Sequence, residues 1–249
     1  MEASFIDIFS NFKEHHKLSE LDNARNLLER LSRNVENPNP IEYLLSKKSK
    51  SINLFSLSNG NYKNWINQFL SNTRLIVEPK IAGYPMILHY TNGLLSKALD
   101  VHFLDKKYCI SRVPNLPLTI NFKQSIYVMG ELYCRFKQSR YSLNYSRDYL
   151  HNPLRSNLDF SFCAYRIINS KLNHYQNLNA LKALSFEIPD TEFTHYVSDI
   201  ELFRELWLQS RIFDKYPTNG IIIKVNSRKF QKQLGYLNNI PLWAYSIIK

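Results

Sequence analysis

In VEPKIAGYP, residues 77–85, a single lysine stands between a glutamate and a glycine, with short apolar runs on both sides. Lys80 has two readings: a solvated charge at a strand end, or an amine nucleophile. The second requires a neutral amine, which neighbouring cations and a dry pocket favour by lowering its pKa. Two more charges interrupt apolar segments. Glu131 lies in YVMGELYC, where a buried carboxylate needs a partner, and Lys224 lies in GIIIKVN, where it faces either solvent or a pocket. Arg147 and Arg155 are eight residues apart. By themselves they read as members of a basic face, whose affinity for nucleic acid comes from counterion release. His15 and His16 read as surface helix residues, and Tyr141, Tyr145 and Tyr149, at helical spacing, as packing residues.

These groups must be positioned by elements legible in the pattern. Residues 3–33 show helical spacing, with Phe5, Ile8, Phe9 and Phe12 on one stripe and Leu21, Ala24, Leu27, Leu28 and Leu31 on another. NPNP at 37–40 breaks that pattern and leads to KKSKS at 47–51, a linker. The chain therefore divides into a helical N-terminal segment with linker, 1–50, and a main domain, 51–249. In the domain a helix is expected over Tyr62–Leu70. The strands RLIVEPK, YPMILHY and LLSKALD follow, divided by Gly83 and by Asn92-Gly93, a two-residue hairpin signal. Further strands are expected in SIYVMGELYC, FSFCAYRII, GIIIKVN and LWAYSII, and helices near Leu178–Leu184 and Ile200–Arg211. Strands and helices interleave without a βαβ rhythm, so the expected class is α+β with antiparallel sheets.

The net charge of +11 and pI near 9.5 favour a polyanionic partner, nucleic acid first and an anionic membrane face second. Cys109, Cys134 and Cys163 form no CxxC pair and read as reduced thiols, without a zinc site. The N-terminus has no apolar signal core, and no stretch approaches the roughly 18 apolar residues of a membrane span. A cytoplasmic location, or another intracellular site of nucleic-acid processing, is expected, with no membrane partner.

Taken together, three stretches resemble the adenylation domain of NAD-dependent DNA ligases. VEPKIAGYPMILHYTNGLL is similar to that family's E-x-K-x-D-G strand and N-G hairpin. YVMGELYC is similar to its R-G-E-V segment, and YPTNGIIIKVNSRKFQKQLGYLNNIPLWAYSI to its D-G-V-V-I-K-V-N, Q-x-x-L-G and P-R-W-A run. SLSNG at 56–60 stands where the family has S-L-D-N beside the adenine. The resemblance covers roughly residues 51–249. It implies a DNA-ligase-like nucleotidyltransferase fold around an AMP pocket, with Lys80 as the lysine that becomes AMP-lysine. It also implies Glu78 as the acid that reads the adenine amino group, Glu131 as the acid near the ribose, and Lys224 as a cation serving the phosphate. Ser56 and Leu57 would lie beside the adenine, Arg211 would assist cofactor binding, and Arg147 and Arg155 would hold adenylate and nick phosphates. The implied cofactors are NAD as AMP donor, with ATP not excluded, and Mg2+. The implied partner is nicked double-stranded DNA or another nucleic acid.

The departures from the family pattern are as specific as the matches. Ala82 replaces the aspartate of K-x-D-G, and Asn219 replaces the aspartate of D-G-V-V-I-K. Ile248 falls on the family's closing lysine, beside Lys249, and DVHFL at 100–104 stands in place of R-G-D-G. The paired tyrosines that grip the nicotinamide half in the family have no counterpart around Glu14–Lys17, and the family's C-terminal modules are expected to be absent. Three readings follow: an enzyme that seals or adenylates nicked DNA, a degenerate homologue that binds nucleotide or nick without turnover, or one subunit completed by a partner chain.

Overall fold

The computed structural model describes residue 20 and residues 22–35, 57–69, 73–135, 139–155, 157–237 and 240–248. The expectations for residues 3–19, NPNP, KKSKS, Ser56 and Lys249 lie outside the described residues. Helix α1 covers residues 22–33. After it come α2 (Tyr62–Ile66), β1 (Leu75–Ile81), β2 (Tyr84–Thr91), β3 (Leu94–Leu99), α3 (Lys107–Ile110), β4 (Ile126–Cys134) and α4 (Ser139–His151). A 3-10 turn at Pro153–Arg155 leads to β5 (Phe160–Ile167), α5 (His174–Ala183), β6 (Glu192–Thr194) and α6 (Val197–Leu208). The chain closes with β7 (Thr218–Val225), α7 (Arg228–Leu234), β8 (Tyr236–Leu237), β9 (Ile240–Pro241) and β10 (Ala244–Ile248). Every strand named from the pattern is present. The helix expected over Tyr62–Leu70 stops at Ile66, and α3, α7, β6, β8 and β9 were not anticipated.

The strands form two antiparallel four-stranded sheets, ordered β10-β7-β1-β6 and β3-β2-β4-β5, with β8-β9 as a separate ribbon. Residues 82 and 83 carry the chain from the first sheet to the second, so the turn after Lys80 joins the two layers. Gly83 is required there by close approach: a Cβ at this position would lie 2.7 Å from the Leu132 carbonyl oxygen. The hairpin between β2 and β3 has the expected turn chemistry, since Asn92 and Gly93 both take positive φ, 52° and 77°.

Period-2 alternation sorts each strand into two faces. In the first sheet, Leu75, Val77, Ile221, Ile223 and Val225 face a core with Trp65, Trp207 and Tyr216. In the second, Met86, Leu88, Tyr90, Val128, Leu132 and Phe162 face another core closed by residues of α3, α4 and α5. The remaining faces of the two sheets look toward each other across a cavity.

Helix α1 does not stand apart from the domain. Leu31 is fully buried in the second-sheet core, and Lys171 N donates to Asn34 O at 2.9 Å. Residues 22–35 thus pack on the body that the 1–50 boundary would have excluded. Leu31→Ala is expected to lower unfolding free energy by about 2–5 kcal/mol, read as a lower denaturant midpoint at unchanged m-value.

Candidate active site

The cavity between the sheets has a volume of about 510 Å³. Glu78 and Lys80 from β1 line it with Asn219, Ile222 and Lys224 from β7, while Met129 and Glu131 from β4 and Cys163 and Tyr165 from β5 form the opposite wall. Register explains the convergence. Glu78 and Lys80 are two apart on β1 and so share a face. Lys80 pairs with Gly220 and Ile76 with Lys224. The two lysines therefore sit at opposite ends of one row with Glu78 between them. Gly220 is required by the close approach of β10: a Cβ there would lie 2.2 Å from the Ile247 carbonyl oxygen.

In the middle of the row, Glu78 is nearly inaccessible and, on its Lys224 side, accepts from Lys224 Nζ at 2.5 Å and from His174 Nε2 at 2.5 Å. Burial alone would raise its pKa, but the charge of Lys224, together with His174, outweighs burial and holds the carboxyl at about 2. Burial pushes the His174 imidazole below its ordinary range against the attraction of Glu78, so the neutral ring donates Nε2–H. At the end opposite Lys224, Lys80 Nζ donates to Asn219 Oδ1 at 3.0 Å. Desolvation lowers the Lys80 pKa, and the charge of Glu131 opposes it. Across the cavity, burial raises Glu131 to about 8 against the pull of Lys80 and Lys224, and its Oε2 atom is buried without a protein partner. Desolvation shifts the Lys80 amine toward the neutral form that nucleophilic attack requires.

The structure brings together Glu78, Lys80, Glu131, Lys224 and Leu57, all of which line the cavity. Lys224 spends its charge on Glu78, at the far end of the row from Lys80, so its geometry supports holding that acid more directly than holding a phosphate. Arg211 and Arg147 are exposed and do not line the cavity. Arg211 follows α6, where its N–H donates to Leu206 O at 2.9 Å, and Arg147 lies on α4. Arg155 ends the 3-10 turn, its side chain outside what is described. Ala82 lines the cavity with its N–H donating to Pro217 O at 2.7 Å. Asp100, in the stretch that departs from R-G-D-G, is buried and accepts from the His102 and Leu104 amides at 2.8 and 2.9 Å, so it organises a turn. Tyr149 packs against Phe160, whereas Tyr141 and Tyr145 are exposed. The three cysteines are buried and form no disulfide among the described residues.

Sequence reasoning missed His174, Tyr165 and Arg166. His174 had a findable signal: Asn173 and Gln176 bracket a helix start, with Asn173 N donating to Gln176 Oε1 at 3.2 Å. That places the histidine at the first helical position, but not against Glu78. Tyr165 sits at the β4–β5 register shift and lies under the Lys224 ammonium, 5.0 Å from its ring centroid. Arg166 stacks over Trp243 at 4.8 Å.

This two-sheet fold with a lysine-bearing cavity between the layers is that of DNA-ligase-like nucleotidyltransferase domains. The solved structure Pmar-Lig_Pre has the same fold, with a TM-score of 0.52 at 10% identity, covering 80% of this chain and 46% of that one. Residues 151–247 match the family model of the NAD-dependent DNA ligase adenylation domain. Over 242 residues the chain is 28% identical to the DNA ligase of Wigglesworthia glossinidia brevipalpis, covering 80% of this chain and 41% of the relative. Over 217 residues it is 25% identical to that of Borrelia garinii subsp. bavariensis, covering 73% and 32%. The chain is thus a divergent relative of that adenylation domain, and it spans less than half the length of these curated relatives.

The raised Glu131 value has a consequence for stability. Between the ordinary value of 4.5 and about 8 the folded protein keeps a proton that the unfolded chain has released, so stability falls as pH rises through that window. Glu131→Gln should flatten this part of the stability–pH curve, measured by urea unfolding between pH 4.5 and 8.

Proposed function

We propose that this chain is a DNA-ligase-like nucleotidyltransferase in which Lys80 takes AMP from NAD and passes it to the 5′-phosphate of a nick in double-stranded DNA. The observation that carries this reading is the Lys80 amine, desolvated in the cavity and hydrogen-bonded to an amide at 3.0 Å. In the first step the Nζ lone pair attacks the α-phosphorus. A P–N bond forms, the P–O bond to the leaving nicotinamide mononucleotide breaks, and Nζ gives up a proton. In the second step a 5′-phosphate oxygen attacks the same phosphorus, the P–N bond breaks, and the amine is restored. Glu78 would meet the base and Glu131 the ribose, with Leu57 closing the pocket. Arg147 and Arg211, outside the cavity, would meet phosphates of a bound strand, and Arg155 is given the same role by its place in the family pattern. Such a reaction would take place wherever nucleic acid is processed inside a cell, and a partner chain could supply further DNA contacts.

Mg2+ supplies charge neutralisation on phosphate oxygens when bound. It typically needs one or two carboxylates plus substrate phosphates, and Glu131, with its unpartnered buried oxygen, fits the first part of that requirement. A second reading rests on Ala82 and Asn219, where the family has acids: a homologue that binds nucleotide or nick without turnover. A lost metal carboxylate removes several kcal/mol of charge stabilisation, at a factor of ten in rate per 1.36 kcal/mol.

Incubation with Mg2+ and either NAD or ATP should give a single AMP adduct by intact mass, absent in Lys80→Met. No adduct with either donor would sink the enzymatic reading and leave the binding one. Ala82→Asp combined with Asn219→Asp should speed adduct formation, and an unchanged rate would mean that the site works through a different set of groups.

A further inference from the structure

His174 is a buried titratable side chain to which neither step above assigns a role. It lines the cavity from the first position of α5, is 4% exposed, and contacts Glu78 across the row of β1 residues. The groups facing it are Glu78 from β1, Lys224 from β7 and Arg166 from β5. We propose that His174 is a specificity-positioning residue. By donating Nε2–H to Glu78 it fixes that carboxylate as an acceptor in the cavity wall, so that the cavity selects a nucleobase presenting an exocyclic amino group. This inference rests on reading the cavity as a nucleotide site.

The argument is one of hydrogen-bond capacity. An ionised carboxylate accepts at about four lone-pair sites and donates none. Two of those sites on Glu78 are filled by fixed donors, Lys224 Nζ and His174 Nε2. Between them they prevent the carboxylate from rotating or from picking up a proton, and the remaining sites can only accept. A base with an amino group at this point gains a hydrogen bond to a charged group. A base with a carbonyl oxygen there meets lone pairs with lone pairs. Without the histidine, Glu78 would keep its ion pair with Lys224 but lose the second anchor that sets its plane. Lys224→Met removes charge as well as a donor, so it cannot isolate this effect, whereas His174 is neutral and can be exchanged for a neutral donor.

The test compares AMP with IMP, which differ at this position by an amino group against a carbonyl, using calorimetric titration of the full chain. The wild type should prefer AMP by about 10- to 100-fold, the worth of one hydrogen bond to a charged group. His174→Gln, which keeps an N–H donor, should hold that ratio within about threefold, and His174→Leu should reduce it about tenfold. A wild-type ratio near one, or a His174→Leu variant with the wild-type ratio, would overturn the proposal, as would equal loss in the glutamine and leucine variants. If the wild type binds neither nucleotide, the nucleotide reading itself fails and the inference falls with it. Nitrogen NMR of the wild type gives a readout independent of ligand and of variant folding. His174 should appear as the neutral Nε2–H tautomer and titrate below the ordinary histidine range, and an Nδ1–H tautomer or an imidazolium at neutral pH would contradict the assignment.

Discussion

A carboxylate buried to 1% exposure is tolerable only if its charge is answered on the spot, and the answer at Glu78 ties together three separate elements. Lys224 comes from β7, His174 from the start of α5, and Glu78 from the middle of β1. Removing Lys224 would leave the Glu78 charge unanswered in a low-dielectric wall, a change that typically costs about 3–5 kcal/mol for a buried pair, whereas removing the neutral His174 would cost one anchoring hydrogen bond. This arrangement pins the register of β1 on β7, and the register in turn sets Lys80 at the opposite end of the same row. The position of Lys80 is thus set by an ion pair two residues away on the same strand face.

The two ends are electrostatically different for a physical reason. At the Glu78 end the charges are matched, so the acid stays ionised to about pH 2. At the Lys80 end, the positions where the ligase family places aspartates hold Ala82 and Asn219, and the amine is met by an amide oxygen and by Glu131, whose own proton is held up to about pH 8. Lys80 therefore meets little fixed negative charge, and desolvation is left to lower its pKa. With no carboxylate at positions 82 and 219, little beside Lys80 favours its protonated form, so burial of the amine acts on its pKa largely unopposed.

Much of the fold was legible because run length and turn chemistry are local. VEPKIAG, YPMILHY and GIIIKVN are short apolar runs of strand length, and Asn92-Gly93 set the hairpin through backbone conformations that those residues adopt cheaply. The elements that escaped are short or depend on distant partners. The ribbon of β8 and β9 has two residues per strand, too few for a pattern. Helix α4 is largely polar, and only the spacing of Tyr141, Tyr145 and Tyr149 hinted at it. Residues 22–35 were assigned to a separate segment because NPNP reads as a break. Chain punctuation does not say whether the preceding helix docks back, as Leu31 does.

The sequence by itself singled out the charged residues of the candidate site. Lys80, Glu78, Glu131 and Lys224 stand out because charge in an apolar strand is expensive and so carries a reason, and Ala82 and Asn219 stand out against the ligase motif by residue type alone. Only the tertiary structure decided which charges answer one another. His174 is 96 residues from Glu78 in the chain, and no local pattern relates them. Lys224 read as a cation for the phosphate until strand pairing set its ammonium against Glu78. Arg211 and Arg147 matched a spacing but landed outside the cavity. Spacing along a chain fixes which face of an element a side chain occupies, whereas its partner depends on how the two sheets close over one another.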